Sequence, residues 1–360
     1  MSPLSILGAT RALKSEPVLE EEVPRSNQGD PRKVVSLSPE DYLKRCKWVS
    51  DLPEGIRGHA IADMTKNERY EVKGDVNIHP VGRSNYNTLI PAEIGGNLKI
   101  PDCLGIKSLD GLYVGGSVDA SRSGITKTGP SFQCDGRFLA IGCKDLKSLD
   151  GHFKGDVAVW GSGLQETKPG FHCGRHLMLC NLGDSTCSDF HTLEGNVGGN
   201  VLADKSSIVR TGPLFNCGGS VFARDCKNLE SLDGSISVGC DVSGSGLKKI
   251  SPRFEVFGET KDGVGLNVSN CPKLNELNGH IPKGAKTDGE LPLAEGARCG
   301  KSYYSGIVAS EGAYTPTEPT LEGPSSQRPS GDAPSKSIAM RIHSAAQSFK
   351  AGFKEGFEGK

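Results

Sequence analysis

The sequence predicts a repeat solenoid, mostly β, and three observations predict it. A pattern of about 20 residues recurs from Val72 to Leu277. Each repeat centres on two apolar residues one apart: Val76/Ile78, Leu98/Ile100, Val118/Ala120, Phe138/Ala140, Val157/Val159, Leu177/Leu179, Val201/Ala203, Val221/Ala223, Cys240/Val242 and Leu266/Val268. Each pair begins 19 to 26 residues after the one before. Glycine makes up 48 of 360 residues, enough for one or two tight turns in every repeat. Apolar residues spaced by two read as a short strand with one buried side. A single such unit cannot bury its own apolar side, so the units must stack.

The elements follow in chain order. Residues 1–35 are rich in Ser, Pro, Glu and Lys, lack periodicity and are expected to be disordered. Residues 36–71 form an N-terminal cap with a helix. Ser38 stands as N-cap, Pro39 at the first helical position and Asp41 as the capping-box partner. Tyr42, Cys46 and Val49 share one face, with Trp48 at its edge, and Pro53 and Gly55 end the helix. An amphipathic helix here covers the first rung of a solenoid; the alternative is a docking helix for a partner. Residues 72–282 hold about ten rungs. Between Cys180 and Gly195 rung seven carries about four extra residues, read as a loop. Residues 283–335, rich in Gly, Pro, Ser, Thr and Glu, read as a disordered linker. Residues 336–360 turn periodic: Ile338, Ile342, Ala345, Phe349 and Phe353 lie on one face, flanked by Lys336, Arg341, Lys350 and Lys354. This short helix, interrupted by Gly352 and Gly356, can lie on a membrane surface, dock in a partner groove or fold back on the solenoid.

The rungs alternate between two kinds. One reads Cys103-x-x-Ile106-x-Ser108-Leu109-Asp110-Gly111 and returns from Cys143 to Gly151, from Cys226 to Gly234 and, partly, from Cys271 to Gly279. The other ends in proline and phenylalanine: Pro130 and Phe132, Pro169 and Phe171, Pro213 and Phe215, Pro252 and Phe254. The sequence unit is therefore a doublet of about 40 residues. The cysteine-type rung, L-x-I-x-x-C from Leu98 to Cys103, resembles the leucine-rich repeat. The short period, with glycine pairs before the strand, is most similar to repeats of bacterial effectors delivered into host cells by type III secretion. That resemblance implies a leucine-rich-repeat-like parallel β-solenoid in which Cys103, Cys143, Cys226 and Cys271 hydrogen-bond the loop backbone at the bend. A right-handed parallel β-helix is the alternative, because such glycine-rich rungs can replace every helical turn by strand.

Composition removes several function classes. A net charge of −1 gives no general attraction for nucleic acid or anionic membrane, and no nucleic-acid partner is expected. No run of 18 apolar residues exists. The opening segment MSPLSILGATRALKSE lacks the plan of a cleaved Sec signal. The twelve cysteines fall once or twice per rung and not in CxxC pairs, so they read as buried thiols in a reducing compartment. A monomer is expected.

Chemistry-bearing constellations are sparse. His172, Cys173, His176 and Cys180 span a turn and a strand, where side chains diverge, so no zinc is expected. Gly296–Ser302 (GARCGKS) lacks the first glycine of a phosphate loop: Glu295 stands there. Cys299 with His280 or His343 has nothing to orient it as a nucleophile pair. The tail is too short and polar for a ligase domain. No catalytic residue, metal ligand or cofactor is assigned. Strand alternation instead singles out the positions between and after the inward pairs. On that side the ends of the solenoid are polar, whereas Leu139, Ile141, Trp160, Met178, Leu202 and Phe222 form an apolar centre rimmed by Asp204 and Arg224. Exposed apolar patches with Trp and Arg mark interaction sites; cover by the chain's own tail is the competing reading.

Together with the resemblance, these residues imply a non-enzymatic effector that leaves a bacterium without a Sec signal and works in the host cytoplasm. It would bind a host protein through the concave face. The polar N-terminus, with no acidic residue before Glu16, is compatible with that route. A scaffold or adaptor of a ubiquitin-ligase-like virulence enzyme, and a structural or surface β-solenoid, are the alternatives.

Overall fold

Strands of two residues form at every apolar pair, and the chain returns to the same place one turn later. The computed structural model describes residues 31–78, 86–180, 189–300 and the backbone of 303–304. Among the described residues the strands make three parallel sheets. The first has thirteen strands, from Lys33–Leu37 to Arg298–Cys299; the second has twelve, from Val76–Asn77 to Tyr303–Tyr304; the third has six, from Ser148–Leu149 to Lys249–Ile250. Neighbours in the second and third sheets come from successive turns, so the molecule is a parallel β-solenoid. Register is strict: Val157 pairs with Phe138 on one side and Leu177 on the other. All twenty residues expected to point inward are 3% exposed or less.

Each corner is fixed by its own chemistry. Two residues past eight of the ten inward pairs the backbone is left-handed: Asp102, Arg122, Gly142, Gly161, Lys205, Asp225, Gly244 and Asn270 have φ between 56° and 71°; the corresponding positions after the first and sixth pairs, 80 and 181, lie outside the described residues. The next residue is buried and alternates Cys103, Ser123, Cys143, Ser162 and, further on, Ser206, Cys226, Ser245, Cys271. The Cys143 thiol donates to the Ala120 carbonyl at 2.9 Å, and Cys226 to that of Ala203 at 3.0 Å. Serine and cysteine then meet across turns, at 3.7 Å for Ser123–Cys143 and 3.5 Å for Ser206–Cys226. The bend cysteines thus hydrogen-bond the backbone of the preceding turn, at the second residue of its inward pair.

The third sheet explains the rest of the doublet. Its inward column alternates leucine with threonine: Leu149, Thr167, Leu193, Thr211, Leu232. Thr211, 3% exposed, donates to the Asp233 carbonyl at 2.7 Å and accepts from the Asp233 amide at 2.8 Å. Thr128 treats Asp150 the same way, and Thr167 treats Glu194. A buried hydroxyl satisfied twice costs little, whereas an unpaired one costs about 1–3 kcal/mol. The proline-phenylalanine rungs supply the aromatic interior; Phe132 and Phe171 each lie about 5.5 Å from Phe153, centroid to centroid.

Three boundaries differ from the sequence expectation. Residues Lys33–Leu37, placed in the disordered segment 1–35 and at the start of the cap, are a strand paired with Glu68–Val72. Residues 1–30 lie outside the described residues. The predicted helix runs Pro39–Asp51 (α1); the Asp41 amide donates to Ser38 Oγ at 3.1 Å, and Tyr42, Cys46 and Val49 are buried in the common core. Tyr42 also donates to the Ile90 carbonyl at 2.8 Å. A second helix, Glu54–Lys66 (α2), follows where Pro53 and Gly55 suggested an end. None of its residues is buried, so it carries no apolar period by which to recognise it. At the other end, Ala285–Thr287, Arg298–Cys299 and Tyr303–Tyr304 add strands beyond residue 282, so the solenoid continues into the stretch expected to be linker. The inward pair there is Ala285 and Thr287, buried but too small and polar to register as a repeat. Of the loop expected between Cys180 and Gly195, residues 181–188 lie outside the described residues, as does the helix expected within 336–360.

The glycine that ends each cysteine-type rung sits directly over the previous turn. Gly234 has φ +89°, and a Cβ there would stand 2.3 Å from the Phe215 carbonyl oxygen. Gly234→Ala is expected to lower stability by ~2 kcal/mol or more, read as a shift of the urea midpoint. Gly289, where an added Cβ meets nothing within 4 Å, is the control, and Gly289→Ala is expected to leave the midpoint unchanged.

Candidate protein-recognition face

In-register pairing turns the outer side of the second sheet into columns. One column runs Asn77, Lys99, Asp119, Leu139, Ala158, Met178, Leu202, Phe222, Asp241, Asn267. Its ends are polar and its centre is apolar, as expected. Leu139, Ala158 and Met178 form a cluster of buried residues separate from the main core, and Trp160 and Leu202 pack against it. Ile141 and Phe222 stand on the same side, half-buried and outside that cluster.

Exposure corrects one expectation. Leu139 is 1% and Met178 9% exposed, so the middle of the patch is closed rather than open. Strands in a ladder lie ~4.8 Å apart, and Ala158, 0% exposed, is the small step between two large neighbours. The Trp160 side chain packs over this cluster. Apolar surface half-open to solvent is therefore supplied by Ile141, Trp160, Leu202 and Phe222.

Asp204 and Arg224 occupy the rim. The Arg224 amide donates to Asp204 Oδ1 at 2.9 Å, and its Nε lies 3.0 Å from Oδ2. Hydrogen bonding to Asp204 raises the Arg224 pKa further. The guanidinium lies 5.9 Å from the centre of the Phe222 ring, which ties the ion pair to the apolar patch. Both side chains are part-exposed, so the pair is worth no more than ~1 kcal/mol to stability.

A ladder that sequence reasoning missed borders this face. At six of the inward pairs the side chain of the preceding residue, Asp75, Asn97, Ser117, Asp156, His176 or Asn200, accepts a hydrogen bond from the backbone amide at the same position one turn later. The Asn97 amide donates to Asp75 Oδ1 at 2.8 Å, that of Ser117 to Asn97 Oδ1 at 2.8 Å, and that of Asn200 to His176 Nδ1 at 2.9 Å. The signal was available as a recurrence of Asp, Asn, Ser and His just ahead of the apolar pairs.

The other constellations are taken apart by strand alternation. Cys173 points inward and is buried, while His172, its strand neighbour, lies on the outer side of the first sheet. Cys299 pairs in register with inward Ile281, whereas His280 is opposite Arg298 on the outer side. Among the described residues no group of three or more His, Cys, Asp or Glu could hold a metal ion, and no helix is long and apolar enough to cross a membrane. Cys187, His343 and residues 301–302 lie outside the described residues.

The first sheet carries a second concavity, of about 490 Å³, lined by Arg32, Glu68, Arg69, Tyr113, Gln133 and His152 among others. Arg69 Nε and His152 Nδ1 are buried there without a hydrogen-bond partner. The His152 and His172 rings are neighbours in register, 5.6 Å apart. Burial, and then the charge of His152, lower the His172 pKa below 6.5.

The chain matches no protein-family model, no curated protein and no solved structure.

The lowered His172 pKa gives stability a pH dependence. The unfolded chain binds this proton more tightly, so the folded state loses stability as pH falls below 6.5, and keeps it above. His172→Gln is expected to shrink the loss of melting temperature on acidification below pH 6.5; an unchanged pH profile would refute the assignment.

Proposed function

We propose that this chain is a protein-recognition module without catalytic chemistry, and that its working surface is the outer side of the second sheet. One observation carries the reading. On a ladder whose outward positions are polar at both ends, Trp160, Leu202 and Phe222 remain half-open to solvent, beside the Asp204–Arg224 pair. Aromatic and arginine anchors next to a closed apolar floor are the composition of binding hot spots. Ile141 extends the surface along the neighbouring column, and Leu139 and Met178 support it from below.

For the cross-section we infer a turn of β-helix type, supported by two strand sheets along the solenoid and a third in its middle. The bend cysteine is the element it shares with the leucine-rich repeat. Helix α1, with Tyr42, Cys46 and Val49 in the core, closes the first turn in this reading. On the resemblance of the repeat alone, we propose that the partner is a host protein met in the host cytoplasm after type III secretion.

The test is the full chain carrying Trp160→Ala with Phe222→Ala. Expressed in plant and animal cells with proximity labelling, the wild type is expected to mark a partner that also cross-links to the second sheet. The double variant is expected to lose affinity for it by ~100-fold or more while keeping its urea midpoint within ~1 kcal/mol of stability. Unchanged affinity would overturn the assignment of this face.

A further inference from the structure

The outer side of the first sheet carries a polar column away from the proposed recognition face. In register it includes Tyr113, Gln133, His152, His172 and Asn196. At its middle two imidazoles stand on successive turns. Both histidines are half-buried, and their ring centres lie 5.6 Å apart with the planes tilted by 39°. His152 Nδ1 is buried without a hydrogen-bond partner. An unpaired buried nitrogen is costly, and a donor, an acceptor or a cation relieves it.

We propose that His152 and His172 together bind one divalent transition-metal ion of the zinc and nickel class, which clamps two successive turns of the solenoid. The site lies on the first sheet and is independent of the face proposed on the second.

The distance fits. With metal–nitrogen bonds of about 2.0–2.1 Å and each nitrogen about 1.1 Å from its ring centre, two imidazoles on one ion hold their centres about 5.2 Å apart at a tetrahedral angle and about 6.4 Å apart when collinear. The separation of 5.6 Å lies between these limits. A bare ring contact gives a similar separation, but it leaves His152 Nδ1 unpaired.

The surroundings fit as well. The His152 amide donates to the Phe132 carbonyl and the His172 amide to the Gly151 carbonyl, each at 2.9 Å, so both backbones are fixed before an ion arrives. Lys154, two residues past His152 on the same side of the strand, is paired with Asp135 at 3.0 Å, which balances its charge. Two imidazoles are fewer than the protein ligands of a closed zinc site, so water completes the shell and the ion stays exchangeable. Gln133 and Asn196, next in the column on either side, carry amide oxygens one strand spacing away. Imidazole favours zinc, nickel and copper, whereas magnesium and calcium take oxygen ligands.

The experiment uses the full chain, isotope-labelled at the histidine nitrogens, stripped with a chelator that is then removed, and titrated with zinc chloride. One equivalent is expected to shift the resonances of two of the eight imidazoles, two that are in mutual contact, and to raise the melting temperature. Magnesium chloride is expected to shift none. His152→Gln and His172→Gln are each expected to weaken zinc binding by ~100-fold or more, with the urea midpoint of the metal-free chain retained. His280→Gln, on the same side of the same sheet, is the control and is expected to leave zinc binding unchanged. Shifts at a single imidazole, at imidazoles not in contact, or at none mean an adventitious ion only or a bare ring contact, and overturn the site. Equal weakening by His280→Gln overturns it too. Where a variant fails to fold, the resonances of the wild type decide alone.

Discussion

The structure depends on one constraint: every turn must land in register on the turn before it. Main-chain bonds enforce this at the strands; the Ala203 amide donates to the Phe222 carbonyl at 2.7 Å and the Ala223 amide to that of Asp241 at 2.9 Å. Side chains enforce it at the corners, through the bend cysteines, the buried threonines and the acceptors ahead of several strands. A two-residue strand carries too few bonds to hold register alone, and a slip by one residue would turn its apolar pair outward. The doublet follows from the same need. A serine in one turn meets a cysteine in the next, and a threonine meets the backbone of a leucine-type turn.

Strict register also makes the proposed recognition face possible. Inward positions are reserved for the core, and outward positions along one column differ from turn to turn. Their chemistry then reads as a linear pattern: charge and amide at the ends, apolar side chains in the middle. The same arrangement brings large neighbours within contact distance and closes the centre over Ala158. A face built this way presents anchors at its borders, where Trp160 and Phe222 stand, and the Asp204–Arg224 pair fixes one border in place.

Much of this was legible in the residues. The twenty inward positions followed from spacing alone, and the doublet from the alternation of cysteine with proline-phenylalanine turns. Helix α1 was visible through Ser38, Pro39 and its apolar stripe; α2 was not, because it buries no residue fully and sets only Ile61 and Met64, half-buried, against the core. The strands after residue 282 escaped because Ala285 and Thr287 carry the register on a small and a polar side chain. At the candidate face, alternation identified which residues look outward. It could not show that Leu139 and Met178 are closed off, since exposure depends on neighbours a full turn away in sequence. The acceptor ladder ahead of the strands went unread for a related reason: Asp, Asn, Ser and His share a function there and not a residue type.

Register is tested most directly by native-state hydrogen exchange on the full chain. The amides of Ala120, Ala140, Val159, Ala203, Ala223 and Val242, each bonded to the following turn, are expected to exchange at least ~1,000-fold more slowly than an unstructured chain and at comparable rates. The amides of α2, a helix with no fully buried residue, are expected to exchange faster. Rapid exchange at those six amides, or protection that alternates from turn to turn, would contradict the stacked ladder on which both the fold and the face depend.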